Sequence, residues 1–110
     1  MDISFASNHL KKCAHDSRFA VNKLGPERAR LYKQRLDDIA SSESLEGLRN
    51  MPGKYHELTG NYKGKWACNL DGPYRLIFTP HENPIPTDRR GCYLWAEIFG
   101  VEILEIKDYH

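Results

Sequence analysis

The hydrophobic periodicity of the chain changes once, near its middle, and this change constrains the fold more than any other feature. From Pro26 to Ile39, apolar residues recur every three or four positions, which predicts an amphipathic helix that begins at Gly25-Pro26. After Met51, short apolar runs alternate with Gly-, Pro- and Asn-rich turns, which predicts strands. Helices that precede a run of strands are typical of an α+β fold, with helices on one face of a mainly antiparallel sheet.

The other elements are predicted from shorter signals. Asp2–Phe5 is a candidate first strand, and Ser7 is a candidate N-cap for a first helix. The strands predicted after the helices are Lys54–Leu58, Lys65–Leu70, Tyr74–Thr79 and Val101–Ile106. The three prolines of Pro80–Cys92 predict a loop, and Tyr93–Phe99 is compatible with a strand or an ordered loop.

Length and charge limit the classes of function. A chain of 110 residues suits one domain over residues 1–110, since two domains would each have too small a core. The 16 Lys and Arg residues are almost balanced by 15 Asp and Glu residues, so the surface as a whole does not favour a polyanion. Residues 51–78 carry four basic and two acidic side chains, which places any polyanion site in a local patch there.

Several classes of protein are not indicated. No apolar run approaches the ~18 residues of a membrane span, and no secretory signal is visible, so we expect a cytoplasmic protein without a membrane partner. Cys13, Cys68 and Cys92 lack CxxC spacing and are predicted to be reduced thiols. The five histidines have no metal-ligand spacing, and phosphate-loop, HExxH and GxSxG motifs are absent, so no metal and no cofactor is expected.

Basic and aromatic residues alternate in the middle of the chain, in Tyr55–Leu58, Gly60–Trp66 and Tyr74–Leu76. This combination suits single-stranded nucleic acid, since cations bind phosphates and rings stack on bases. The alternative is structural: Trp66 and Tyr74 belong to the core and Arg75 pairs with an acid. A second polar cluster, Asp108-Tyr109-His110, directly follows a predicted buried strand.

Taken in order, these motifs resemble the HigB-type ("plasmid maintenance killer") toxins of the RelE/ParE superfamily, and the resemblance covers nearly the whole chain. The matching segments are Lys23-Leu24-Gly25-Pro26, His56-Glu57-Leu58-x-Gly60, Lys63-Gly64-x-Trp66, Pro73-Tyr74-Arg75-Leu76-Ile77-Phe78, Asn83-Pro84-Ile85-Pro86 and Val101–Ile106 followed by Asp108-Tyr109-His110. The last segment, together with the Pro73–Phe78 strand, is the most specific. Thr59 and Tyr62 depart from the family, where basic residues are common at both positions.

The resemblance implies a RelE-like, microbial-ribonuclease-type fold and a toxin of a type II toxin–antitoxin system. Such toxins are metal-independent endoribonucleases that cleave mRNA, typically in the ribosomal A site, and so inhibit translation and growth. Their partner is a HigA-type helix-turn-helix antitoxin, through which alone operator DNA would be contacted. The resemblance also implies that Tyr93–Phe99 is an ordered loop.

The resemblance also implies which residues form the site, because they occupy matching positions in the family's motifs. The catalytic residues implied by the resemblance are His56, Arg75, Asp108, Tyr109 and His110. Lys54, Lys63 and Lys65 match positions that hold the RNA backbone, and Trp66 and Tyr74 of the basic and aromatic cluster complete the expected RNA-binding set.

These side chains suit RNA cleavage by the substrate's own 2′-hydroxyl. That reaction needs a base, an acid for the departing 5′-oxygen, and positive charge near the phosphate. His56 and His110 can be the base and acid in either order, and Arg75 can bind phosphate oxygens with a bidentate fork. Asp108 can orient a histidine or act as base, and Tyr109 can donate a hydrogen bond or stack.

Two other functions remain open at this point. A ParE-like inhibitor of a topoisomerase would share the fold and act by binding, without needing two histidines. A catalytically inactive partner protein would also share the fold, because a fold does not determine a function.

Overall fold

A computed structural model describes residues 1–109, and it confirms the α+β prediction. Three helices precede most of a five-stranded sheet with strand order β1-β5-β4-β3-β2. The bounds are β1 Asp2–Phe5, α1 Asn8–His15, α2 Ser17–Leu24, α3 Pro26–Ser41, β2 His56–Glu57, β3 Trp66–Asn69, β4 Tyr74–Pro80 and β5 Gly100–Asp108. Within residues 1–109, none of the helices is long and apolar enough to cross a membrane.

The helical segments are separated by local capping signals. The Ser7 side chain accepts a hydrogen bond from the Leu10 amide and caps α1 as predicted. Asp16 ends α1, and its carboxylate accepts from the Phe19 amide, which starts α2. Gly25, with φ of 85°, separates α2 from α3. The sequence analysis predicted a single helix before Gly25. The structure has two helices there, because Asp16 caps the second one.

The sheet is antiparallel except at one edge. β2, β3, β4 and β5 pair with antiparallel neighbours, whereas β1 runs parallel to β5. The predicted strand Lys54–Leu58 is reduced to two residues, because Lys54 has φ of 55°, outside the extended region. β5 is longer than predicted and continues to Asp108.

The segment between β4 and β5 is a loop, as predicted for Pro80–Cys92. It contains one isolated bridge, between Thr87 and Tyr93. Tyr93–Phe99 is an ordered loop, as the resemblance implies, with a 3-10 turn over Trp95–Glu97. Two further 3-10 turns cover Glu46–Asn50 and Gly60–Tyr62.

The helices and the sheet enclose one hydrophobic core. The strands contribute side chains that point toward the helices, among them Trp66, Leu76, Phe78 and Ile103, all 0% exposed. We call this the helix-side face of the sheet. Because side chains alternate along a strand, their neighbours in β2–β5 point to the opposite side, which we call the open face.

Candidate functional site

The open face collects polar and charged side chains from four strands. His56 of β2 lies opposite Ala67 of β3, which pairs with Ile77 of β4, and Ile77 pairs with Glu105 of β5. In the adjacent row, Asn69, Arg75 and Lys107 are paired in the same way. Residues two apart on a strand share a face, so both rows lie on the open face.

His56 presents one ring nitrogen to solvent. Its Nδ1 lies 2.7 Å from the Lys54 carbonyl oxygen. A carbonyl can only accept, so Nδ1 is the donor, and Nε2 of the neutral imidazole is left as the acceptor. The left-handed conformation of Lys54, with φ of 55°, belongs to the same turn. His56 is exposed, and its Nε2 is therefore positioned to accept a proton from a bound molecule.

Arg75 lies two strands away from His56. Its Nη1 donates to the carbonyls of Gly72 and Tyr74, each at 2.9 Å, which fixes the guanidinium above the β3–β4 turn. The hydrogen bonds described for Arg75 thus go to backbone carbonyls. Sheet spacings place the Cα atoms of His56 and Arg75 about 12 Å apart.

Tyr62 and Lys107 also belong to this face, and the sequence analysis did not assign them to the site. Lys107 pairs with Arg75 in the sheet, and its Nζ donates to the Tyr62 hydroxyl. This hydrogen bond raises the pKa of Lys107. Lys65 Nζ lies 5.2 Å from the centre of the Tyr62 ring, and Lys107 Nζ lies 4.6 Å from it. Lys107 could have been assigned to the site only from the pairing of β4 with β5, which places it opposite Arg75.

The prediction that Trp66 stacks on RNA bases is wrong. Its side chain is 0% exposed and packs edge-on against Trp95, with ring centres 5.5 Å apart. The Arg49 guanidinium lies 4.7 Å from the Trp66 ring centre. Trp66 is the first residue of β3 and is paired with Phe78, so it points with Phe78 to the helix-side face. The structural alternative is therefore correct for Trp66.

Tyr74 is also on the helix-side face, away from His56 and Arg75. The Arg28 guanidinium carbon lies 3.3 Å from the centre of its ring, and Arg28 forms a bidentate ion pair with Asp71 at 2.9 and 3.0 Å. Tyr74 is half-buried between this pair and the core. The structure thus does not place Tyr74 with the other predicted RNA-binding residues.

The remaining predicted RNA-binding lysines are on the surface around the open face. Lys54 and Lys63 are exposed, and Lys63 Nζ lies 5.9 Å from the Tyr93 ring centre. Lys65 is half-buried under Tyr62. In the rows described above, Glu105 is the acidic residue, and these lysines with Arg75 and Lys107 outnumber it, so the face carries an excess of positive charge that the overall balance of the chain hides.

The C-terminal cluster is divided between the two faces. Asp108 is the last residue of β5 and pairs with Tyr74. Paired residues share a face, so Asp108 lies on the helix-side face with Tyr74. Tyr109 is 42% exposed, its amide donates to the Pro73 carbonyl, and its ring centre lies 5.8 Å from Lys107 Nζ. Tyr109 is therefore next to the site, whereas His110 lies outside the described residues.

Metal ligands and cavities do not mark this site. Residues 1–109 contain no group of three or more His, Cys, Asp or Glu side chains placed to hold a metal ion. Ala67 and Ile77 lie between the charged side chains of the open face and are 1% and 0% exposed, so the accessible part of this face is polar. A broad surface with separate cations suits an extended polyanion better than a small molecule.

Comparison with known proteins gives a clear result for the fold. No protein-family model and no curated protein sequence matches the chain. Among solved structures, a YoeB–YefM complex from Staphylococcus aureus covers the whole chain and 97% of its own, at 16% identity and a TM-score of 0.57. A YoeB/ParE toxin from Agrobacterium tumefaciens covers 100% of both chains, at 9% identity and a TM-score of 0.59. The chain has the YoeB toxin fold.

The YoeB fold is the RelE-like fold that the sequence predicted. A further structure, the YoeB dimer from Staphylococcus aureus, matches with 16% identity, a TM-score of 0.57 and coverage of 100% and 97%. At these identities the likeness concerns the backbone, so the residues of the open face have to be judged on their own chemistry.

Proposed function

We propose that this chain is the toxin of a toxin–antitoxin pair and that it cleaves RNA without a metal ion. The observation that carries the proposal is that one face of a YoeB-type sheet carries the exposed His56 together with Arg75 and Lys107. An imidazole that can hold or release a proton near neutral pH suits general acid–base catalysis. Fixed cations beside it suit the negative charge that develops on a phosphate.

The proposed reaction uses the 2′-hydroxyl of the RNA as nucleophile. One histidine removes its proton while the oxygen attacks the neighbouring phosphorus, and a second group donates a proton to the departing 5′-oxygen. His56 is the proposed base or acid on β2, and His110 is its proposed counterpart from the C-terminus. Arg75 and Lys107 stabilise the pentacoordinate phosphate, and Tyr109 contacts an adjacent ribose or base.

The proposed substrate is mRNA in the ribosomal A site, and the proposed subfamily is the HigB type, on the resemblance of the sequence motifs. The Staphylococcus aureus structure pairs its YoeB toxin with YefM. By analogy, we propose that this chain binds a small antitoxin of the HigA type with a helix-turn-helix, through which the pair would reach operator DNA. Coexpression with the adjacent gene is expected to relieve growth inhibition, and absence of a complex would contradict this pairing.

The test is induced expression of single variants in a bacterial host, with growth and mRNA 5′ ends measured together. His56→Ala, Arg75→Ala and His110→Ala are each expected to lower the cleavage rate by about 10²–10⁴-fold. Lys33→Ala is the control, since Lys33 is exposed on α3 and pairs only with Asp37. Wild-type cleavage by all three site variants would contradict the ribonuclease proposal.

The same experiment distinguishes the ribonuclease proposal from the ParE-like alternative. An inhibitor of a topoisomerase would arrest growth without new mRNA ends, and His56→Ala would keep full potency. Growth arrest of that kind, together with DNA damage, would replace the ribonuclease proposal by topoisomerase inhibition.

A further inference from the structure

Tyr62 joins the segment before β3 to β5. It lies in the 3-10 turn Gly60–Tyr62, which leads into β3, yet its hydroxyl accepts a hydrogen bond from Lys107 of β5. Strand β4 lies between β3 and β5 in the sheet. The side chain of Tyr62 and the stem of Lys107 together therefore span β4.

Two apolar side chains between the charged residues of this face are fully buried. Ala67 of β3 and Ile77 of β4 point to the open face, and neither belongs to the core cluster formed with the helices. Even so, they are 1% and 0% exposed. On a face without helices, an apolar side chain is this buried only if other side chains cover it, so the longer side chains of the open face lie over the sheet rather than extending into solvent.

Tyr62 also determines where two cations sit. The Nζ atoms of Lys65 and Lys107 lie 5.2 and 4.6 Å from its ring centre, within the range of a cation–π contact. Long lysine side chains are otherwise mobile, and holding one in place costs conformational entropy. The contacts with the ring and hydroxyl of Tyr62 restrict both lysine side chains in the free protein, so less conformational entropy is lost when a ligand binds.

A third cation completes the group. Arg75 is the sheet partner of Lys107, and its guanidinium is fixed by two carbonyls of the β3–β4 turn. Lys107 Nζ meets the hydroxyl edge of the Tyr62 ring, and Lys65 Nζ lies 5.2 Å from the ring centre. Glu105, two residues before Lys107 on the same face, adds a negative charge that favours the charged form of Lys107. The arrangement is therefore a preformed group of three cations organised by one tyrosine.

We propose that Tyr62 is a positioning residue that holds Lys65 and Lys107 beside Arg75 as a ready-made clamp for the RNA backbone. This inference rests on the proposed ribonuclease function and deepens it, since it names the residue that arranges the phosphate-binding cations. Tyr62 does not touch the reacting atoms. It acts through the lysines, so its loss weakens substrate binding more than the chemical step.

The experiment measures single-turnover cleavage of mRNA on programmed ribosomes, with the half-saturating toxin concentration and the maximal rate obtained separately. Tyr62→Phe keeps the ring and removes the hydroxyl, so the half-saturating concentration is expected to rise about threefold to tenfold. The maximal rate is expected to change less than twofold. Tyr62→Ala removes both contacts and is expected to have a larger effect on the same parameter.

A double-mutant cycle tests whether Tyr62 acts through Lys107. Lys107→Gln alone is expected to weaken binding, and Tyr62→Phe added to it is expected to cause little further loss, because the shared hydrogen bond is already absent. Tyr93→Phe is the matched control, since the Tyr93 hydroxyl makes no hydrogen bond within residues 1–109 and its ring is kept. It is expected to behave as wild type.

The possible outcomes separate this inference from the proposed function. If the wild-type protein cleaves no RNA, the proposed function fails and the inference fails with it. If the wild type cleaves and Tyr62→Phe matches it, or the two substitutions are fully additive, the positioning role alone is overturned. Faster cleavage by Tyr62→Ala would also overturn it, because Tyr62 would then be a cover that RNA has to displace.

Discussion

The two faces of the sheet are built from the same strands and serve different purposes. On the helix-side face, Trp66, Leu76 and Phe78 are fully buried and hold the helices to the sheet. On the open face, the residues next to them in sequence include Lys65 and Arg75, whose charges remain in contact with solvent. Residues adjacent in sequence thus have different roles, one in stability and the other in the proposed RNA contact.

This division follows from the cost of burying charge. An unpaired ammonium or guanidinium group is strongly destabilising in an apolar interior, so cations in strands are directed to the face without helices. Arg35 of α3 illustrates the exception, since it is 8% exposed and its Nε donates to the Asn69 carbonyl at 2.8 Å. Stability and binding can therefore be changed independently by substitutions one residue apart.

The largest expected effect on folding comes from Trp66, the residue that the sequence analysis placed in the RNA site. Trp66→Ala removes the largest fully buried side chain and is expected to lower the free energy of unfolding by about 3–5 kcal/mol. Lys65→Ala, one residue earlier, is expected to change it by less than about 0.5 kcal/mol. Urea denaturation of both variants measures the difference. Equal stabilities would mean that the two faces are not separated as described.

A smaller effect is expected at the Arg28–Asp71 pair, which covers Tyr74 at the end of the helix-side face. The hydrogen bonds from Arg28 hold the pKa of Asp71 below its ordinary value. A lowered pKa means that ionised Asp71 stabilises the fold above the ordinary pKa, near 4, and that this contribution is lost as the pH falls through the lowered value.

Asp71→Asn tests this by its pH dependence. At pH 7 the variant is expected to be less stable than the wild type by about 0.5–1 kcal/mol, because the pair is partly exposed. The difference is expected to shrink as the pH falls from about 4 to 2. Asp37→Asn is the control, since the Lys33–Asp37 pair is 63% exposed at both side chains. If the difference in stability between the variant and the wild type stays constant down to pH 2, the lowered pKa assigned to Asp71 is wrong.

The smallest effect concerns thiol chemistry and leaves stability unchanged. Cys68 is 0% exposed on the helix-side face, and burial raises its pKa to about 12. Cys13 is 4% exposed, and burial raises its pKa as well, whereas Cys92 is exposed in the loop before β5. An aromatic disulfide reagent at pH 8 is expected to modify one thiol in the native protein and three after denaturation.

Cys92→Ser is expected to abolish the native reaction while leaving two thiols reactive in denaturant. Rapid reaction of the Cys92→Ser variant under native conditions would show that the helix-side face opens more readily than its burial indicates.

Local patterns were enough to determine the elements of the fold. The three- and four-residue spacing of apolar residues and the Gly25-Pro26 boundary predicted α3, because helix periodicity and capping are properties of short segments. Alternation and turn residues predicted β3, β4 and β5 with errors of one or two residues. The parallel pairing of β1 with β5 was not predictable in this way, since it joins residues about 100 positions apart.

The site was only partly determined by the sequence. His56, Arg75 and Lys65 were recognised by type and order, and the fold brings them to one face. Trp66 and Tyr74 were predicted to bind RNA, but they lie on the helix-side face. Lys107 and Tyr62 were not among the predicted site residues. A shift of one residue in a strand moves its side chain to the other face, so residue type alone cannot assign a face.

What the tertiary structure decided was the register between distant strands. β4 and β5 pair Arg75 directly with Lys107, so both cations lie on the open face, and a bulge between Ile77 and Phe78 pairs Phe78 with Ile103 on the helix-side face. The contacts of Tyr62 then link Lys107 to Lys65. The sequence by itself determined which residues are available, because their chemistry is local. Their assembly into one surface depends on long-range strand pairing, which only the folded chain specifies.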